Sequence, residues 1–177
     1  MFVDKATTAG YLLPLEYFHE NGISSYRGYL KEAYFAGDHD GVLCSMETPI
    51  GTVRVMAVHL EYRSEAIRLE SAKKIVEIAA EKNTPMIVLG DFNSAPKGFK
   101  IHALANGENA VDYLLNHGFD TELPAQTVEN LTFPSEKPDR VIDWVLTTPQ
   151  LEQSSRRVHP STLSDHRMLS VTVGLRR

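Results

Sequence analysis

Met86-Ile87-Val88-Leu89 runs without a polar interruption into Gly90-Asp91-Phe92-Asn93-Ser94-Ala95-Pro96, and Pro85 stands directly in front of it. A short unbroken apolar run between breakers reads as a strand buried on both faces, as strands are in sheets with crossover connections. The chain upstream supplies such a connection. Ser64 is a good N-cap, Glu65 lies in the first turn, and Leu69, Ala72, Ile75, Val76 and Ala79 share one helical stripe that Asn83-Thr84-Pro85 ends. Before this helix, β-branched residues on either side of Thr48-Pro49-Ile50-Gly51 predict two strands and a turn, the second strand, Val53 to Val58, delivering His59. Strand, helix and strand in that order predict a βαβ unit with parallel strands, which places His59 and Asp91 at one edge of the sheet. Ligands in such sheets gather at the carboxyl ends of strands.

Downstream, Glu108 to Gly118 reads as a short helix closed by the glycine, and a proline-containing loop fills the chain to Asp139. Strands are predicted over Val141–Leu146 and, after Leu163-Ser164-Asp165-His166-Arg167, over Met168–Val173. The first forty residues carry tyrosines and glycines without sustained periodicity and read as loop with short elements. No internal repeat stands out.

The chain has 177 residues, 42% of them hydrophobic, enough for one core and a single domain over 1–177. No apolar run approaches the roughly 20 residues that span a bilayer, and no basic segment leads into an apolar stretch at the N-terminus, so the expected compartment is cytoplasmic. The lone Cys44 has no partner for an internal disulfide and reads as a small buried hydrophobe. A net charge of −5 argues against a broad basic surface that grips nucleic acid, though a local basic groove stays allowed. Lys73-Lys74, Arg156-Arg157 and Arg176-Arg177 read as solvated charge.

Three polar insertions into apolar contexts carry the chemistry. Asp91 and Asn93 follow one strand, Asp143 sits inside another, and Asp165-His166 precede a third. Asp143 shares a face with Val141 and Val145, while Ile142, Trp144 and Leu146 take the other, so in a central strand its carboxylate is largely removed from water. A buried unpaired carboxylate is costly and calls for a partner. His166 is the natural one, because an aspartate bonded to one imidazole nitrogen fixes the tautomer and leaves the other nitrogen for proton transfer. Singly, these residues and His59 are ordinary caps, turns or edge residues; their concentration at strand ends marks a site.

Gly90-Asp91-Phe92-Asn93, Asp139 to Leu146, and Ser164-Asp165-His166, with Val58-His59-Leu60 upstream, resemble the motifs of the endonuclease/exonuclease/phosphatase (DNase I-like) superfamily. That superfamily includes DNase I, apurinic endonucleases, sphingomyelinases and inositol polyphosphate phosphatases. The resemblance runs in the family's order from about Gly41 to the C-terminus. It implies hydrolysis of a phosphoester with a divalent ion, Mg2+ or Mn2+. By that resemblance Asp91 orients or deprotonates the attacking water and Asn93 holds the water and the phosphate. Asp165 binds the metal, with Asp91 beside it. His166 bonds a phosphate oxygen in the transition state, Asp143 orients His166, and His59 is a second acid or phosphate contact. Hard cations, a positive imidazole and hydrogen-bond donors suit a reaction that spreads negative charge over oxygens.

The chain also departs from the pattern. Family members usually begin with a strand bearing an asparagine, then a strand ending in Gln-Glu whose glutamate is a principal metal ligand. Neither is recognisable: Glu16, Glu20, Glu32 and Glu47 lack that context, and Glu16, after Leu12-Leu13-Pro14-Leu15, comes nearest. The expected architecture is an α/β sandwich of two packed mixed β-sheets flanked by helices, N-terminally short and with one sheet incomplete. A short sheet leaves a bare edge, so either the chain self-associates there or its first forty residues cover the edge. Two functions stay open: a metal-dependent phosphoesterase acting on a small phosphodiester or phosphomonoester in preference to nucleic acid, and a weakened or inactive binding module that keeps the fold.

Overall fold

The computed structural model describes residues 30–33, 41–100 and 108–177. A five-stranded sheet of order β1-β2-β3-β4-β5 is built from β1 (Leu30–Ala33), β2 (Gly41–Thr48), β3 (Gly51–His59), β4 (Met86–Asp91) and β5 (Asp143–Thr147). β6 (Leu151–His159) and β7 (Met168–Leu175) pair antiparallel as a second sheet. The helices are α1 (Glu65–Ala80) and α2 (Ala110–Asn116). β3 and β4 are parallel and flank α1, as a βαβ unit requires; the neighbours on either side run antiparallel, so the sheet is mixed.

Local chemistry explains the boundaries. The Ser64 hydroxyl accepts from the Ile67 N–H at 3.4 Å to start α1, and the Asn109 side chain accepts from the Asp112 N–H at 2.8 Å to start α2. Gly118, at φ +94°, closes α2 in a conformation other residues adopt at a cost. Alternate residues of the central strands, Met56, Val58, Met86, Val88, Trp144 and Leu146, form the core with Ala72 and Ile75 of α1 and Val111 and Leu114 of α2. Trp144 anchors that core: its Nε1–H donates to the Ser94 carbonyl at 3.0 Å, and Phe99 meets its ring edge-on at 5.4 Å. Truncating such a residue costs roughly 3–5 kcal/mol.

Several expectations need correction. β6 was not expected, because Leu151-Glu152-Gln153-Ser154-Ser155-Arg156-Arg157 offers no apolar alternation; pairing with β7 makes it a strand, with a register shift between Ser154 and Arg157 and Ser155 at φ +55°. β5 begins at Asp143 instead of Val141 and is the terminal strand of its sheet, not a central one, so the Asp143 side chain keeps 17% exposure. Arg156 is not solvated charge: its guanidinium Nη atoms are shut off from solvent with no hydrogen-bond partner among the described residues, and desolvation lowers its pKa. Lys74 is exposed and Lys73 half-buried, and they pair with Glu77 and Glu70 respectively. Cys44 is buried, and burial pushes its thiol up. The bare edge of β2 is covered by β1, paired along Glu32↔Ser45 and Ala33↔Cys44. Among the described residues no helix is long and apolar enough to cross a membrane.

Candidate active site

Sheet register assembles the first part of the site. Parallel pairing sets His59 beside Asp91, and antiparallel pairing sets Asp91 beside Asp143, so the three stand in one row across β3, β4 and β5. Gly90 permits that closeness. It has φ +135°, and a Cβ there would lie 2.0 Å from the Val58 carbonyl oxygen, so only glycine keeps β3 and β4 paired at this point.

Asp91 is held by the turn that follows it. Its Oδ1 accepts from the Asn93 backbone N–H at 2.7 Å and its Oδ2 from Asn93 Nδ2 at 3.1 Å, while Nδ2 also donates to the Leu60 carbonyl at 3.0 Å. Asn93 lies at φ +46°, a region asparagine tolerates better than most residues. Both amide donors of Asn93 therefore fix Asp91 and the β3 end. Two imidazoles face the same Asp91 oxygen, His59 Nε2 at 3.5 Å and His166 Nε2 at 3.8 Å. Burial raises the Asp91 pKa above its ordinary value and the Asp143 charge adds to this, against the Asn93 N–H and the two histidines.

His166 is the other half. Its Nδ1 lies 3.1 and 3.0 Å from the two Asp143 oxygens, and Phe133 packs against its ring with centroids 4.6 Å apart. The hydrogen bond to Asp143 raises the His166 pKa, outweighing burial. Backbone pins hold this segment: the Ser135 N–H donates to the Asp165 carbonyl and the Arg167 N–H to the Thr132 carbonyl, both at 2.7 Å. The buried Thr132 hydroxyl accepts from the Ile142 and Asp143 N–H groups at 3.2 and 3.4 Å, locking the loop to the start of β5.

His59, Asp91, Asn93, Asp143, Asp165 and His166 all line one open cleft of about 810 Å³. Sequence reasoning missed Tyr62, Arg63, Phe133 and Ile142, which complete its walls. Tyr62 and Arg63 had a usable signal, their place between the end of β3 and the α1 N-cap; Phe133, deep in the proline-rich loop, had none.

The family model of the endonuclease/exonuclease/phosphatase family matches residues 13–166. The chain belongs to that family. A comparison with curated proteins finds none that matches. Among solved structures, a mannosyl-6-phosphatase from Bacteroides thetaiotaomicron shares 18% identity at a TM-score of 0.57, over 76% of this chain and 57% of its own. A family protein from the same organism shares 18% identity at a TM-score of 0.56, over 75% of this chain and 54% of its own. A beta toxin variant from Staphylococcus aureus with bound magnesium ions shares 17% at 0.53, over 80% and 64%. These likenesses establish the DNase I-like fold, and the chain spans just over half to under two thirds of each of these structures.

Family members are generally hydrolases, and a metal ion is general among them. Among the described residues no three acidic, imidazole or thiol side chains stand close enough to hold one ion. The cleft is rich in carboxylate oxygen, from Asp91, Asp143 and Asp165, and has no thiol. Carboxylate oxygens of this kind suit a hard cation such as magnesium or manganese, and the set does not fit a closed zinc site. Glu16, the nearest sequence substitute for the missing glutamate ligand, lies outside the described residues.

Proposed function

We propose that this chain carries the hydrolytic cleft of a magnesium-dependent phosphoesterase. Asp91, aimed by Asn93, takes a proton from the attacking water as the water oxygen bonds to phosphorus and the bond to the leaving oxygen breaks. His166, whose protonated form Asp143 favours, donates from Nε2 to a non-bridging phosphoryl oxygen, where negative charge accumulates. His59, whose side chain is 68% exposed, reaches a second phosphate oxygen from the opposite side of Asp91. Asp165 and Asp91 would hold the ion, which when bound neutralises charge on the phosphoryl oxygens. The net charge of −5 favours a small phosphodiester or phosphomonoester over a nucleic acid. With β1 on the β2 edge, this reading needs no second copy of the chain.

The observation that supports it most is the imidazole of His166, bonded through Nδ1 to Asp143 and turned through Nε2 towards Asp91 inside one cleft. Its test is a magnesium-dependent hydrolysis screen over plasmid DNA, bis-p-nitrophenyl phosphate, sphingomyelin and inositol phosphates, run beside His166→Ala. The expected outcome is turnover that His166→Ala reduces on the order of 100-fold or more; turnover that persists in the variant overturns the mechanism.

A binding module is the second reading, favoured by the absence of a three-ligand metal group among the described residues. It predicts no turnover on any of these substrates together with retained phosphate-ester binding.

A further inference from the structure

The cleft is far larger than one phosphoryl group needs; about 810 Å³ is room for a drug-sized ligand. Its floor carries three carboxylates and two imidazoles, and among the described residues lining it Arg63 is the one fixed cation. Arg63 is exposed and, among the described residues, has no carboxylate partner for its guanidinium: the adjacent Glu61 carboxylate accepts instead from the Arg63 backbone N–H at 2.7 Å. The guanidinium lies over the Tyr62 ring, 4.9 Å from its centre, and its Nε–H donates to the Tyr62 hydroxyl. Tyr62 therefore holds the head of Arg63, and among the described residues neither Nη group has a hydrogen-bond partner. A planar fork of free donors, already ordered, is the arrangement that takes an oxyanion by two parallel hydrogen bonds.

We propose that Tyr62 and Arg63 form a subsite for a second phosphate, so that the substrate is a small molecule with two phosphate groups, one at His166 and Asp91 and the other at Arg63. This rests on the phosphoesterase reading and adds the substrate class. A choline headgroup, whose ammonium would face the guanidinium, is disfavoured by the same geometry. A polynucleotide could offer a flanking phosphate too, but the overall negative charge of the chain opposes it.

The test compares kcat/KM with magnesium for fructose bisphosphate, p-nitrophenyl phosphate and a short oligonucleotide, in wild type, Arg63→Ala and Arg63→Lys. The expected result is that wild type prefers the bisphosphate to the monophosphate. Arg63→Ala should lower that ratio on the order of 10- to 100-fold, the loss of a charge-assisted pair, and Arg63→Lys should restore part of it. A ratio that stays within about twofold of wild type overturns the subsite, and dependence on Arg63 seen with the oligonucleotide alone overturns the small-molecule assignment. If wild type turns over nothing, the phosphoesterase reading fails separately. Calorimetric binding of fructose bisphosphate then decides the subsite, weakened in Arg63→Ala if it exists and unchanged if it does not.

Discussion

Asp143 favours the protonated form of His166. The hydrogen bond to the carboxylate raises the imidazole pKa from its ordinary 6.5, with Asp91 and Asp165 adding smaller attractions. Because the folded value is the higher one, the pair contributes stability that is fully present below 6.5 and is lost as pH rises through the folded value. Asp91 is also raised, chiefly by burial, so its contribution likewise falls as pH rises from its ordinary 3.8 through the folded value. In metal-free protein, NMR titration of the His166 ring should give a midpoint above 6.5. The midpoint should fall towards the ordinary value in Asp143→Asn; a midpoint that Asp143→Asn leaves unmoved would separate the two side chains. Asp143 and His166 as partners were legible from the sequence, because a carboxylate inside an apolar strand demands one. The Asn93 amide was not: nothing in its spacing says that both donors turn back to Asp91 and Leu60.

At the level of elements, a buried ion pair under α1 ties the two halves of the cleft together. Arg68 donates to Glu65 Oε2 from Nη2 at 2.7 Å and from Nε at 3.0 Å, and from Nη1 to the Glu61 carbonyl at 2.6 Å. Glu65 Oε1 accepts from the Ala110 N–H at 2.7 Å and from the Ser94 hydroxyl at 3.2 Å. One charge pair thus fixes the chain after His59, the chain after Asn93 and the start of α2. Arg68→Met leaves the Glu65 carboxylate buried without its cation and should cost about 3–5 kcal/mol in denaturant unfolding, and adding Glu65→Gln should recover part of it. Equal stability of Arg68→Met and wild type would show the pair to be dispensable. The helix itself was legible from its cap and apolar stripe, but Glu65 reads only as a first-turn acid, since periodicity cannot tell a charged residue packed inward with a partner from one in water. β6 escaped for a related reason: its register comes from β7, not from its own residues.

For the whole molecule, the βαβ unit and the convergence of strand ends followed from order and composition, because parallel strands joined by a helix have few ways to pack. What covers the sheet edge did not follow, since the first forty residues carry no period and β1 depends on β2 for its existence. That dependence gives a test of how the edge is protected. A proline removes a backbone N–H, and consecutive strand residues point their N–H groups to opposite sides, so substituting Lys31→Pro and Glu32→Pro together deletes at least one donor facing β2 whichever way β1 is turned. Freed of β1, β2 would present a row of unpaired donors and acceptors to a second chain. Light scattering should therefore give the mass of one chain for wild type and a larger, concentration-dependent mass for the double variant, with circular dichroism confirming that the rest of the sheet persists. A double variant that remains a monomer with an intact sheet would mean that β1 is not what keeps the chains apart.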